Sequence, residues 1–359
     1  MSIIVHACGG TGINLSNAAL HSVADLGDGF ANIEFNYLDT SRANIDKIQT
    51  RGNFWQVTKH QLTTADIQGG GGEKKTIFKD VLQFVPKYLD EKKIHKRVTG
   101  EYHIVAASAS GASGSIISSA LIQHLLAIDI PVVAIIVGDS SNALYTTNTL
   151  NTLATLNNMA LKAKKPLSII YANNYSFGGG ASGNSGEKAV NDRIRNIVSA
   201  LSLFLSGKNQ ELDQKDLEGF IDQSMYSTIT VPPGLYGLSV FSKSVNVPEG
   251  AVATLVRTLT TRESEATIDI PLLHHKVGYV TEDNALTVFG EQFPLHLVTY
   301  SNFFARESAA LKEADEKFKE MQAAIQNHAV AGSSNATEDE DSGFILSIIQ
   351  LRGTYVPCS

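Results

Sequence analysis

The chain has 359 residues, of which 43% are hydrophobic and 18% charged, as expected for a soluble globular protein of roughly two domains. Its net charge is −7, without a block of Lys or Arg, which disfavours nonspecific nucleic-acid binding. There is neither an apolar run of membrane-spanning length nor a signal peptide, and Cys8 and Cys358 form no metal or disulfide pattern, so a cytoplasmic location is expected.

The first predicted elements are a strand, a glycine loop and a helix. The apolar run from Ile3 to Ala7 predicts a buried parallel strand, and the loop Cys8–Asn14 leads into a helix. The next strand runs from Phe30 to Leu38 and is followed by Asp39. An acidic residue at this point of a strand–loop–helix–strand unit often meets a sugar hydroxyl.

Two further small-residue loops follow. Gly69–Gly72 precedes a helix from about Ile77 to Leu89, and four glycines in a row are also typical of a flexible surface connection. The apolar run that starts at Ile104 leads into Ala109–Ser115, which contains only Gly, Ala and Ser, and then into a helix. Such a loop lets main-chain N–H groups approach a phosphate, and the helix start adds unpaired donors. This stretch therefore predicts a phosphate cradle.

Two more strands, Val132 to Val137 and Leu167 to Tyr171, flank a helix from Leu150 to Ala163. Each strand ends in a polar loop, and the second of these loops contains Asn174. Because strands and helices alternate and every such loop follows a strand, we expect a doubly wound parallel sheet with its ligand at the carboxyl edge.

The second half contains a long helix, a smaller set of strands and a distinctive end. The helix runs from Glu187 to about Leu205 and looks like a connection between two domains. Strand-like runs and one later helix follow, at Ala251–Leu259, Ala266–Ile270, Val277–Val280, Leu295–Tyr300 and Asn302 to about His328. An acidic run such as Glu338–Asp341 is usually a solvated tail, but the apolar hexamer Phe344–Ile349 beside it predicts contact with a partner surface.

This ordered set of motifs resembles the tubulin/FtsZ superfamily, and within it the tubulin-like proteins of large bacteriophages. Ser108–Ser115 stands in the place of the glycine-rich tubulin signature, and Glu211–Asp216 in that of the N-x-D-x-x-D catalytic segment. The other matching stretches are Ala7–Asn14, Asp39-Thr40, Gly69–Glu73, Val137-Gly138 and Asn191-Asp192. Ser110 and Ala112 replace glycines of the signature, and Glu211 replaces an asparagine.

The resemblance implies an α/β fold of the tubulin/FtsZ type. Its parts would be a Rossmann-like GTP-binding domain over residues 1–185, a central helix over 186–206, a smaller domain with the catalytic segment over 207–301, a C-terminal helix over 302–328 and a tail over 329–359.

The resemblance also implies the functional residues. Members of the family bind GTP in one subunit and complete the hydrolytic site with the acidic segment of the next. Asp216 is thus expected to orient the attacking water with help from Asp213, unless both acids only favour the helix dipole. Asn191 would read the guanine edge, and Mg²⁺ would be held mainly by phosphates and water. The nucleotide-binding residues would be Gly9, Gly10, Thr11, Gly12, Asn14, Asp39, Gly70, Gly71, Gly72, Ser110, Gly111, Ala112, Ser113, Gly114, Ser115, Asn174 and Asn191.

The function implied is a polymerising cytoskeletal GTPase in an infected bacterial cell. It would bind GTP, GDP and Mg²⁺, associate with itself head to tail, and position phage particles or the replication compartment without contacting membrane or nucleic acid. The acids Glu338, Asp339, Glu340 and Asp341 would contact the adjacent subunit. Two alternatives stay open: a nucleotide-binding filament without turnover, and an NAD-dependent Rossmann oxidoreductase, which would leave the acidic pair without a role.

Overall fold

The computed structural model describes residues 2–26, 30–46, 52–57, 74–175, 184–206, 211–223, 230–262, 267–280 and 294–334. The strands are β1 Ser2–Cys8, β2 Asn32–Asp39, β3 Asn53–Gln56, β4 Glu101–Ser108, β5 Val132–Gly138, β6 Pro166–Asn173, β7 Gly234–Ser242, β8 Ala253–Thr260, β9 Leu272–Tyr279 and β10 Leu295–Tyr300. The α-helices are α1 Gly9–Leu15, α2 His21–Ala24, α3 Arg42–Asp46, α4 Phe78–Glu91, α5 Ala112–Ala127, α6 Ala143–Ala163, α7 Asn184–Leu205, α8 Gln214–Ile221 and α9 Phe303–Ser334.

The described strands form one sheet in the order β3-β2-β1-β4-β5-β6-β7-β10-β8-β9. The strands from β3 to β7 in this order are parallel, β10 is antiparallel to both of its neighbours, and β8 and β9 are parallel. The predicted parallel sheet of the first half is confirmed. Because β6 pairs with β7, strands from the two halves of the chain share a continuous sheet.

Helices cover both faces of this sheet. On one face α1, α7 and α8 pack against side chains such as Val5 and Ile104, and on the other α4, α5 and α6 pack against Val105 and its neighbours. Adjacent residues of a strand point to opposite faces, so a strand buried on both sides must be apolar throughout. This explains the continuous apolar runs of β1, β4 and β5.

Several boundaries differ from the sequence-based expectation for identifiable reasons. The helix α6 begins at Ala143 rather than Leu150, because the side chain of Asn142 accepts a hydrogen bond from the N–H of Tyr145 and caps the helix. Residues 267–270 are irregular, and β9 begins only after Pro271, which has no N–H to donate to a ladder. The strands β3 and β7 were not predicted.

The chain separates into two compact units, Met1–Asp315 and Glu316–Ser359. In the described part of the second unit, the side chains from Glu316 to Asn327 are largely exposed. Among the described helices, none has the length and apolar character needed to cross a membrane.

Candidate functional site

The first turns of two helices pack side by side at the carboxyl edge of the sheet. The helix α1 begins directly after β1, α5 begins shortly after β4, and these two strands are neighbours. A β-carbon on Gly9 would lie 2.6 Å from the main-chain nitrogen of Gly114, and one on Gly114 would lie 2.8 Å from the carbonyl oxygen of Cys8. Gly9 also has a φ of +70°, which disfavours other residues. Glycine is therefore required here for backbone contact between the two loops.

A cavity of about 250 Å³ opens between these turns and the end of β2. Its lining is small and polar. Of the predicted nucleotide-binding residues, it includes Gly10, Thr11, Asp39, Gly111, Ala112, Ser113 and Gly114. It also includes Ser41, Asn44 and Ser108, which were not predicted as binding residues. The position of Ser41 and Ser108 was a usable signal, since each lies at or just after the carboxyl end of a strand, whereas Asn44 lies inside α3.

The start of α5 is suited to an anion. Gly111 is the N-cap and has no side chain to bond the first-turn N–H groups, while Ala112, Ser113 and Gly114 of that turn line the cavity. First-turn N–H groups have no partner within their own helix and lie at the positive end of its dipole. A phosphate in the cavity would therefore meet main-chain donors at the positive end of α5.

Asp39 organises the turn between β2 and α3. Its Oδ1 accepts hydrogen bonds from the N–H groups of Thr40 at 2.7 Å and Ser41 at 3.2 Å, and its Oδ2 accepts from Asn44 Nδ2 at 2.7 Å. Burial raises the pKa of Asp39, while these bonds act in the opposite direction. The carboxylate thus fixes Ser41 and Asn44 at the cavity wall. Its expected contact with a sugar hydroxyl stays a prediction.

Hydrogen bonds between neighbouring elements support the cavity lining. The hydroxyl groups of Thr40 and Ser113 are 2.6 Å apart, which joins the β2 turn to the start of α5. The Nζ atom of Lys74 donates to the Asn148 carbonyl at 3.3 Å and to Thr152 Oγ1 at 2.9 Å. Burial lowers the pKa of Lys74 to about 8. Thr152 in turn donates to the carbonyl of Ala109 at 2.8 Å, so Lys74 supports the small-residue loop.

Other predicted residues lie outside the cavity lining. Gly12 packs against the Ala106 carbonyl, Asn14 is exposed on α1, and Ser115 donates its hydroxyl to the Gly111 carbonyl at 2.6 Å. The Ser110 hydroxyl lies 3.0 Å from that of Ser108. Asn191 is half-buried on α7. Gly9 contacts Gly114 as described above, and Gly70, Gly71 and Gly72 lie outside the described residues.

Asn174 carries a buried polar atom just beyond the end of β6. It follows β6, and its Oδ1 atom is a buried acceptor with no hydrogen-bond partner in the described part of the chain. Leaving a buried acceptor unpaired is costly. A ligand hydroxyl or N–H group would satisfy this atom.

The two acids of the predicted catalytic segment occupy different environments. Asp213 is exposed and caps α8, since its Oδ1 accepts from the N–H of Asp216 at 2.8 Å. Asp216 is buried, and its Oδ2 accepts from Lys276 Nζ at 2.7 Å. Asp213 therefore faces solvent at the start of the helix, whereas Asp216 is turned inward onto Lys276. The catalytic roles themselves stay predictions.

Comparisons with known proteins agree with this fold. No protein-family model matches the sequence. A phage tubulin-like protein of Pseudomonas phage phiKZ is 26% identical over 218 residues, covering 59% of this chain and 60% of the relative, which is less than two thirds of its length. The phage tubulin-like protein of Pseudomonas phage 201phi2-1 is 24% identical over 295 residues, covering 82% of this chain and 83% of that protein.

Solved structures give the same result at the level of the fold. A PhuZ201 filament superposes with a TM-score of 0.71 at 20% identity, over 95% of this chain and 94% of the other. The phage tubulin PhuZ with GDP gives 0.71 at 20% identity, over 95% of both chains. A protofilament of TubZ from bacteriophage PhiKZ gives 0.69 at 18% identity, over 95% and 94%.

The continuous sheet with this strand order, and the small-residue cavity at its carboxyl edge, belong to a chain with the tubulin-like fold of these solved phage proteins. The predicted resemblance and the predicted α/β fold are both confirmed. Within the superfamily, the similarity in sequence is to the phage tubulin-like proteins.

Proposed function

We propose that this protein binds GTP in the cavity between α1, α5 and the end of β2, and assembles head to tail into filaments that hydrolyse GTP to GDP and phosphate. The observation that carries the proposal is the juxtaposition of two glycine-bearing helix starts around a cavity of about 250 Å³ in a tubulin-type fold. The PhuZ relatives described above include a filament and a GDP complex, which supports both parts of the proposal.

The residues that line the cavity would hold the phosphates. Main-chain N–H groups of Ala112, Ser113 and Gly114 would donate to phosphate oxygens, and the hydroxyls of Thr11 and Ser41 would add side-chain donors. Asn174 and Asn191 are proposed for the ribose and the guanine base, because an amide offers both a donor and an acceptor. Among the described residues, no group of three or more His, Cys, Asp or Glu could hold a metal ion. Mg²⁺, bound mainly by phosphates and water, would neutralise phosphate charge.

Hydrolysis would require the acidic segment of a neighbouring subunit. Phosphoryl transfer depends mainly on positioning and on the orientation of water, which a carboxylate can provide. We assign this role to Asp216, with Asp213 holding the first turn of α8 in place through its hydrogen bond to the Asp216 N–H. A filament without turnover is the second candidate function, because Asp216 is buried and paired with Lys276 in the single chain.

The C-terminal acids are proposed to contact an adjacent subunit. A groove of about 530 Å³ between α4, α5 and α6 is lined by Lys74, Lys75 and Lys79, together with Phe78 and Leu82, which are 50% and 40% exposed. Its cationic rim and apolar floor complement the sequence of Glu338–Asp341 followed by Phe344–Ile349, both of which lie outside the described residues. Deleting residues 330–359 should raise the critical concentration for assembly. Assembly at an unchanged critical concentration would refute this contact.

In the cell, we propose a cytoplasmic filament that positions phage particles or the replication compartment of an infected bacterium. The relatives in sequence come from phages, which supports this setting.

The deciding experiment is right-angle light scattering combined with phosphate release, using purified protein with Mg²⁺ and GTP, GDP, ATP or NAD. Scattering that rises with GTP above a threshold concentration and decays as phosphate appears is the expected result. Scattering without phosphate release would favour the filament without turnover. Thermal stabilisation by NAD, with no response to GTP, would instead support an oxidoreductase.

A further inference from the structure

Lys276, on β9, lies next to the carboxylate that the proposed mechanism uses. Its Nζ atom is 2.7 Å from Asp216 Oδ2, although the two residues are far apart in sequence. The Asp216 side chain is 9% exposed, whereas that of Lys276 is 43% exposed. The pair therefore places a buried carboxylate directly beneath a cation that reaches solvent.

A second cation fixes the same turn of α8. Arg257, on β8, is fully buried, and its Nε and Nη2 atoms donate to the main-chain oxygen of Asp216 at 3.4 and 3.3 Å. Its Nη1 lies 3.1 Å from His274 Nδ1, and burial together with Arg257 and Lys276 lowers the pKa of that histidine. A neutral imidazole can accept the hydrogen bond. Arg257 thus holds the main chain of Asp216, while Lys276 holds its side chain.

The negative charge of Asp216 affects both its burial and its approach to a phosphate. A carboxylate that is taken out of water requires a paired cation and a fixed geometry. A carboxylate that must approach a polyphosphate also meets repulsion between like charges, which falls when a cation neutralises the carboxylate. Lys276 is the cation that contacts the Asp216 carboxylate among the described ion pairs.

We propose that Lys276 is a positioning residue for the hydrolysis of GTP: it holds the Asp216 carboxylate in one orientation and offsets its charge when the phosphates of a neighbouring subunit approach. The inference rests on the proposed GTPase function. It adds a residue from β9, outside the acidic segment, on which turnover depends.

The test compares Lys276→Met, Lys276→Arg and the control Lys162→Met, which removes an exposed lysine on α6. Phosphate release is measured per polymerised subunit, and the critical concentration by sedimentation. Lys276→Met should lower turnover about 10- to 100-fold, as expected for loss of positioning, without changing the critical concentration. Lys276→Arg should restore most of the turnover, and Lys162→Met should behave as wild type.

A further comparison separates positioning from folding. Lys276→Met removes the cation that contacts the buried Asp216 carboxylate and should lower stability, whereas the double variant Asp216→Asn/Lys276→Met removes both charges and should fold like wild type. Urea unfolding of Lys276→Met and of the double variant therefore separates the cost of the remaining carboxylate charge from loss of the fold.

Unchanged turnover in Lys276→Met, no rescue by arginine, or loss of assembly together with turnover would each overturn the inference while leaving the GTPase proposal intact. A wild-type protein that assembles or binds GTP without releasing phosphate would overturn the GTPase proposal and this inference with it.

Discussion

The substitution Gly12→Ala tests how the first glycine loop packs against the sheet. A β-carbon on Gly12 would lie 2.3 Å from the carbonyl oxygen of Ala106 and 3.2 Å from the carbonyl carbon of Ala7. Both neighbours are backbone within paired strands, so neither can rotate away. Because carbon and oxygen normally approach to no less than about 3.3 Å, α1 and β4 would have to separate by about 1 Å.

Two effects of opposite sign set the magnitude. Overpacking of a filled interior costs about 1–3 kcal/mol. Replacing a glycine inside a helix by alanine otherwise stabilises by about 0.5–1 kcal/mol. Since the clash is with immovable backbone, we expect the overpacking to dominate and the free energy of unfolding to fall by about 1–2 kcal/mol.

The assay is equilibrium urea unfolding followed by circular dichroism. The matched control is Gly111→Ala, where the added carbon would meet only the Ser108 side chain at 3.8 Å. Loss of a glycine N-cap should cost less than about 1 kcal/mol there. A Gly12→Ala variant as stable as wild type, or more stable, would refute the packing of Gly12 against β4.

Three further predictions address the site and the core. Asp216→Ala should bind GTP and assemble but release no phosphate in the turnover assay, and rapid hydrolysis by this variant would contradict its assignment. Burial raises the pKa of the Cys8 thiol far above its usual range, so a Cys358→Ser variant should not react with a thiol reagent until it is unfolded. Burial lowers the pKa of His6, His274, His275 and His296. As the pH falls below about 6.5, these histidines gain protons in the unfolded chain but stay neutral in the folded one. The free energy of unfolding should therefore be steady above that pH and fall below it. The loss should approach 1.4 kcal/mol (about one proton) per pH unit for each histidine kept neutral, and urea midpoints that do not change down to about pH 5.5 would contradict this.

The elements that could be predicted from the sequence are those whose pattern is local. The strands β1, β4 and β5 are continuous apolar runs followed by glycine or polar loops, and that pattern alone indicates buried parallel strands. In contrast, β3 is short and exposed, and β7 contains two glycines, so neither has a strong strand signal.

The cavity lining was also predictable only in part. Loop composition identified Gly111–Gly114. The glycines Gly9 and Gly12 were predicted for the ligand, but their contacts are with Gly114 and with the backbone of β4. A glycine requirement looks the same in sequence whether a phosphate or another loop approaches. Only the structure separates these two causes.

The acidic segment depends on a residue that lies outside its own stretch of sequence. Asp216 lies four residues before Phe220, which is buried against the sheet with Leu217. Asp213 stands in the same relation to Leu217, so this spacing does not distinguish the two acids, and only the structure shows Asp216 buried and Asp213 exposed at the cap. A buried carboxylate in turn requires a cation. Lys276 supplies it from another strand, and no local motif contains this residue. The chemistry proposed for the segment therefore depends on β9, and variants on that strand test it most directly.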